Sequence, residues 1–224
     1  MSPWLARRWY DVVFWTCFLL FGFFFSLRVR GRRNVPRRGP VLVLSNHQSF
    51  MDPVLNGLSV PRYLAYLARE TLFKNKYFKA LIESLDAIPI DHKGLGKDGL
   101  QATLDALKRG KAVIVYPEGE RTHDGAVAPF KAGISLLLKK VEAPIVPIGI
   151  AGAFEAWPRH RKFPRFAPLF APPSDASIAV SIGKPIDPAT LVGLSREEML
   201  QRLAEAVDRE FQKAQKLKRQ KRGS

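Results

Sequence analysis

Two spacings of apolar residues alternate along most of this chain. Short, mainly apolar runs at 41–44, 63–68, 87–90, 112–116, 144–150 and 178–182 read as strands. Between them the spacing lengthens to that of helices. A helix is expected from about Ser49, another over 70–85 (Leu72, Phe73, Phe78, Leu81, Ile82, Leu85), and one over 97–108 on Leu100, Leu104 and Leu107. A further helix opens at Phe130–Gly133 and runs through Leu138. Ser195 with Glu198 forms a capping box ahead of Met199, Leu203, Val207 and Phe211, which share one helix face. The alternation predicts an α/β domain: a mixed central sheet flanked by helices. The prolines at 144 and 147 suggest that their strand lies at an edge or ends there.

The N-terminal pattern differs. Val12 to Leu27 carries no charged residue and is rich in Phe and Leu; Trp4, Trp9 and Tyr10 precede it, and Arg28, Arg30, Arg32 and Arg33 follow. A full crossing needs roughly 20 apolar residues, so the run is short for one. We expect an apolar, membrane-associating helical segment that dips into one leaflet or barely spans. Arginines on both sides leave its orientation open. The chain then divides into an anchor with a basic linker (1–33), a catalytic domain (34–212) and a fraying basic tail (213–224). Residues 154–173 are a long loop of aromatics, prolines and arginines, lying either at lipid headgroups or tucked on the sheet.

Charge narrows the partners. The 224 residues carry a formal net charge of +16, which calls for an anionic partner: nucleic acid, anionic lipid or a phosphorylated substrate. No RNA-recognition or helix-turn-helix pattern is present, so no nucleic-acid partner is expected. The single cysteine, Cys17, excludes an intrachain disulfide and a Cys/His zinc cluster. The four histidines show no paired metal-ligand spacing.

Two stretches carry chemistry. Asn46-His47 follows the strand 41–44, and Asp52 comes five residues after the histidine. A reversing chain brings that carboxylate back to the imidazole, the composition of a general base with its orienter. The alternative is a turn histidine with an acid capping a helix. The second stretch, Pro117-Glu118-Gly119-Glu120-Arg121-Thr122, also follows a strand. Gly119 permits close backbone approach and Arg121 offers a fork of donors for a phosphate; the alternative is an exposed turn with a surface ion pair.

Together, in this order and about 70 residues apart, the two stretches resemble the glycerolipid acyltransferases, most closely the 1-acyl-sn-glycerol-3-phosphate branch. Asn46, His47 and Asp52 match the family's Asn-His-x4-Asp block. Tyr116 to Thr122 matches Phe-Pro-Glu-Gly-Thr-Arg-Ser, with Tyr for Phe and Glu120 for the usual Thr. Ala143 to Ile148 is similar to the Val/Pro-rich block, and Phe130-Lys131-Ala132-Gly133 to Phe-Lys-x-Gly. His92 stands where the second block ends in arginine, a departure that bears on the acceptor; Lys93, Lys97 or Arg69 could replace that charge.

The resemblance implies transfer of a fatty acyl group from acyl-CoA or acyl carrier protein to the sn-2 hydroxyl of lysophosphatidic acid, a lysophospholipid acceptor on an anionic membrane surface, making phosphatidic acid in phospholipid biosynthesis. It implies His47 and Asp52 as catalytic residues and Glu118, Gly119, Glu120, Arg121 and Lys131 as substrate-binding residues. Backbone N–H groups near Gly119 would serve the oxyanion. No metal or cofactor is expected, because the thioester is already activated. The cytoplasmic face of the inner or plasma membrane is the expected location. Related acceptors (glycerol 3-phosphate, a lyso-aminolipid) and a non-catalytic lipid-binding role are the alternatives.

Overall fold

The structure, a computed structural model, describes residues 3–90 and 96–219. His92 and Lys93 lie outside the described residues, so the departure at that position has no structural account.

The chain opens with helix α1 (Pro3–Phe25), followed by strand β1 (Arg28–Arg30) and a 3-10 turn at Arg32–Asn34. Next come β2 (Val41–Ser45), α2 (Asp52–Ser59), β3 (Leu64–Arg69), α3 (Lys76–Ser84), β4 (Ala87–Ile90), α4 (Lys97–Lys108) and β5 (Ala112–Val115). The rest is α5 (Ile134–Leu138), β6 (Ile145–Ala151), α6 (Ala153–Ala156), β7 (Ala179–Ile182) and α7 (Arg196–Leu217).

The strands form one sheet in the order β1-β7-β6-β2-β5-β3-β4. The five strands from β6 to β4 are parallel; β7 runs antiparallel to β6, and β1 runs parallel to β7. The mixed sheet flanked by helices is therefore the one expected from the apolar spacing. Val41 to Leu44 and Ala112 to Val115 are almost wholly buried because both faces of the sheet are covered. On one face Phe25, Leu55 of α2, Ala153 and Ala156 of α6, and Ala167 pack on Val41, Val43 and Ile114. On the other, α4, α5 and α7 cover Leu42, Leu44, Val113 and Ile145. Strands β2 and β5 are neighbours, yet their chains leave toward opposite faces, through α2 and α5. That divergence is a topological switch point, and ligands of parallel sheets bind at the carboxyl ends of strands at such points.

Several expectations are corrected. Residues 28–30, expected in a linker, form edge strand β1; Arg-Val-Arg buries only Val29 in part, so no apolar run betrays it. Charges on an edge strand also discourage further pairing. Strand β6 is interior, between β7 and β2, despite its prolines. Pro147, which has no N–H to donate, sits one residue before the antiparallel ladder begins at Ile148↔Ile182. The helix expected over 70–85 is a 3-10 turn at Glu70–Phe73 followed by α3. The helix expected from Phe130 begins at Ile134, and that expected from Ser49 begins at Asp52. The tail does not fray at 213: α7 continues to Leu217, with Ala214 buried, and the Ser177 hydroxyl donates to the Arg219 carbonyl at 3.2 Å.

Gly149 fixes how α7 seats on β6. A Cβ there would lie 2.0 Å from the Phe211 nitrogen and 2.2 Å from the Glu210 carbonyl carbon, both backbone atoms that cannot move without lifting the helix. Gly149→Ala is expected to cost about 3 kcal/mol or more of unfolding free energy. Chemical denaturation reads this; a loss below about 1 kcal/mol contradicts so tight a seat.

Candidate active site

The site is assembled at the carboxyl ends of β2, β5 and β6. The Asn46 side chain donates to the Ile150 carbonyl at 2.9 Å and accepts the Ile150 N–H at 2.7 Å. The amide thereby acts as a short extension of the ladder and holds the end of β2 against β6. The next residue, His47, is then released into a turn.

That turn closes on Asp52. Its Oδ2 accepts the Nδ1–H of His47 at 2.7 Å, the Gln48 N–H at 2.6 Å and the Ser49 N–H at 2.7 Å. The carboxylate is fully buried. Ser49 is not the helix cap that its spacing suggests; its hydroxyl donates to the Trp157 carbonyl at 2.7 Å. With Nδ1–H committed to a carboxylate, the neutral ring carries its lone pair on Nε2. The His47 side chain is 19% exposed, enough for that edge to meet a substrate.

The backbone of His47 joins the two sequence motifs. Its N–H donates to Glu118 Oε1 at 2.9 Å, and its carbonyl accepts the Thr122 N–H at 2.8 Å. The ring stacks on Tyr116, with centroids 4.1 Å apart and planes at 18°. The Asn56 amide donates to the Tyr116 hydroxyl at 3.2 Å. Burial, then the nearby Asp52, push that phenol well above its ordinary pKa, so Tyr116 stays neutral and packs the ring. The Gln48 side chain donates to the Gly125 carbonyl at 2.7 Å and accepts the Phe154 N–H at 3.3 Å, joining a third loop.

The predicted substrate-binding residues separate into two groups. Glu118 faces inward: it is 1% exposed, and its second oxygen accepts the Ala128 N–H at 3.2 Å. It holds the turn. Gly119 has φ +75°, a left-handed conformation, and a Cβ there would meet the Lys131 side chain at 3.1 Å. Its N–H donates to the Tyr116 carbonyl at 3.1 Å, so that amide is committed to the turn and not to an oxyanion. Glu120 and Lys131 are exposed, and Arg121 is half-buried. The Arg121 guanidinium sits 3.4 Å from the centroid of the Phe50 ring, a cation–π contact that fixes its plane. Glu120 pairs with Lys131 at 3.6 Å, Arg159 at 3.6 Å and His123 at 3.7 Å. Lys131 first, then His123 and Arg159, hold its carboxyl below the ordinary range.

Sequence reading missed Tyr116, Gln48, Phe50 and Arg159 as members of this site. Arg159 comes from the loop after α6 and reaches His123 Nε2 at 2.8 Å. Only its place in an aromatic, arginine-rich loop marked it. Among the described residues no group of three His, Cys, Asp or Glu side chains could hold a metal ion.

Residues 26–151 match the model of a family described as Acyltransferase. The chain is 23% identical over 184 residues to a 1-acyl-sn-glycerol-3-phosphate acyltransferase of Bacillus subtilis, covering 82% of this chain and 85% of that one. It is 35% identical over 131 residues to the human 1-acyl-sn-glycerol-3-phosphate acyltransferase alpha, covering 54% and 44%. It thus spans nearly all of the bacterial relative and under half of the human one. Among solved structures it resembles the 1-acyl-sn-glycerophosphate (LPA) acyltransferase PlsC from Thermotoga maritima, with TM-score 0.73, 25% identity and coverage of 95% and 83%.

Burial raises the Glu118 carboxyl from 4.5 to about 7, against two accepted N–H bonds that pull it down. A raised acid is protonated in the folded chain and ionised in the unfolded chain between those two values. Folding there takes up a proton, so this group's contribution to stability falls as pH rises from about 4.5 to about 7 and is flat above. Unfolding free energies of wild type and Glu118→Gln, compared across that window, are expected to show the downward slope in wild type alone. Equal slopes would contradict it.

Proposed function

Because the chain belongs to the acyltransferase family, matched over more than half its length, we propose that it acylates the sn-2 hydroxyl of lysophosphatidic acid from an acyl thioester. The product is phosphatidic acid, so the reaction belongs to phospholipid biosynthesis. The donor is acyl-CoA or acyl carrier protein. Both are cytoplasmic thioesters, which puts the enzyme on the cytoplasmic face of the membrane. The similar proteins of Bacillus subtilis and Thermotoga maritima are acyltransferases named for this acceptor, which supports it here.

The observation that carries the reading is the 2.7 Å bond from His47 Nδ1 to Asp52. It leaves Nε2 to take the proton of the acceptor hydroxyl as that oxygen attacks the thioester carbonyl. The tetrahedral intermediate collapses by breaking the C–S bond. The imidazolium returns its proton to the departing sulfur, giving ester and free thiol. Asp52 holds the tautomer and stabilises the transient imidazolium. The acceptor's own alcohol is the nucleophile, so no covalent acyl-enzyme is required.

Arg121 offers a planar fork to the acceptor phosphate, its plane set by Phe50. Lys131 and Arg159 add charge from two other segments. Glu120 pairs with both of them, and a phosphate dianion competes with that carboxylate. Glu120→Thr is therefore expected to lower KM for a phosphorylated acceptor at nearly unchanged kcat. An unchanged or raised KM contradicts this role for Glu120.

The test is transfer of a labelled acyl group to lysophosphatidic acid, glycerol 3-phosphate or a lyso-aminolipid. Transfer to lysophosphatidic acid is expected, falling about a thousandfold or more in His47→Ala. Arg121→Lys is expected to act mainly on acceptor KM, since lysine lacks the planar fork. Transfer only to another acceptor moves the substrate. No transfer, with lipid still bound, rejects the enzymatic reading.

A further inference from the structure

One contact of the His47 ring is closer than the packing of two neutral rings favours. The imidazole lies over Tyr116 with centroids 4.1 Å apart and planes 18° from parallel. Neutral aromatic pairs settle offset or edge-on, with centroids about 4.5–7 Å apart, because two negative faces repel. The other near-parallel pair among the described residues, Phe14 with Phe18, stands at 6.2 Å. A cation behaves differently: the negative face of a phenol attracts it, and close face-on approach becomes favourable. The observed geometry therefore suits the protonated imidazole better than the neutral one.

The phenol is held by the same helix turn that carries Asp52. Tyr116 directly follows β5, and its hydroxyl accepts from the Asn56 amide at 3.2 Å. Asn56 is fully buried on α2, one turn beyond Asp52. That amide also donates to the Asp52 carbonyl at 3.0 Å and to Ser45 Oγ, at the end of β2, at 3.3 Å. Strands β2 and β5 and helix α2 thus meet on one side-chain amide. The plane of the phenol is tied to the turn that orients the imidazole. Burial, then the nearby Asp52, keep the phenol protonated, so the face under His47 is that of a neutral ring.

We propose that Tyr116 is a positioning residue for the base, its ring face stabilising the His47 imidazolium that forms as the acceptor hydroxyl loses its proton. The inference rests on the acyl-transfer reading above. No bond or proton passes through Tyr116: His47 Nε2 takes the proton and later returns it, and the phenol lowers the energy of the imidazole ring while it is charged. The surroundings make such help valuable. Arg121, Lys131 and Arg159 gather around the adjoining turn through Glu120 and Phe50, and each repels a further positive charge. Among the described residues Asp52 is the one acid paired with the ring, and its Oδ2 also accepts two backbone N–H groups. A second carboxylate there would carry its own burial cost, whereas an aromatic face attracts the cation without adding a charge. The attraction is stronger in the transition state than before it, so it acts on kcat and not on substrate affinity.

The experiment compares, in the full chain, Tyr116→Phe with the difluorinated and pentafluorinated forms of that phenylalanine, which fill nearly the same space while fluorine drains the negative face. The readout is the single-turnover rate of labelled acyl transfer to the acceptor that the wild type uses. Tyr116→Phe keeps the face and drops the hydroxyl, and is expected to lose about threefold. From there the rate is expected to fall stepwise with fluorination, by about tenfold in all, and Tyr116→Leu by about tenfold or more, with acceptor KM within about twofold throughout. A packing role gives the opposite trend, because fluorinated rings are more apolar; a flat or rising series, or a loss confined to KM, overturns the proposal. The stack is read without acyl transfer. Protons over a ring face are shielded, so the carbon-bound ring protons of His47 are expected upfield in wild type and Tyr116→Phe relative to Tyr116→Leu, and equal shifts overturn the proposal too. A wild-type chain that transfers to no acceptor sinks the acyl-transfer reading and this inference with it; a flat series in an active chain sinks this one alone.

Discussion

One buried carboxylate oxygen organises this site. Asp52 Oδ2 takes two backbone N–H groups and the imidazole N–H within 2.6–2.7 Å. A charge out of water is costly unless hydrogen bonds replace its hydration, and each bond to a charged group contributes about 1.5–3 kcal/mol. The same bonds that make the charge tolerable also shape the turn, so ring orientation follows from folding. The carboxylate can be met this way only because β2 ends where it does, and Asn46 secures that end to Ile150 of β6. A second buried acid, Glu118, then ties the His47 backbone to the neighbouring turn. Two acids with different partners hold one histidine.

Much of the scaffold was legible in the spacing of apolar residues, because strands covered on both faces read as continuous runs. Val41 to Leu44 and Ala112 to Val115 are examples. Arg28–Arg30 was invisible because an edge strand with one half-buried valine has no such run. The interior place of β6 was hidden by Pro147, whose position just outside the antiparallel ladder only pairing reveals. His47 and Asp52 were legible because their contact is local, within six residues. The partners of Glu118, the N–H groups of His47 and Ala128, were not legible because they come from the fold and not from neighbouring residues. Arg159 and Tyr116 reach the site by the same non-local route.

The structure also relates chemistry to surface. The cationic cluster and the exposed aromatic loop share the carboxyl edge of the sheet, and Trp157 links the loop to the His47 turn. An acceptor with an acyl tail and a phosphate head has its two ends in different media. Apolar residues near lipid and cations near the turn suit those ends separately. On the proposed reading, the basic excess of the chain meets an anionic interface and a phosphate head.

The central claim is that Asp52 fixes the histidine as the Nδ1–H tautomer, with Nε2 as the base. Nitrogen-15 NMR of His47, recorded where the ring is neutral, reads this directly. A protonated Nδ1 and an unprotonated Nε2 are expected in wild type, with that preference lost in Asp52→Asn. An Nε2–H tautomer in wild type, or one unchanged by Asp52→Asn, would contradict it.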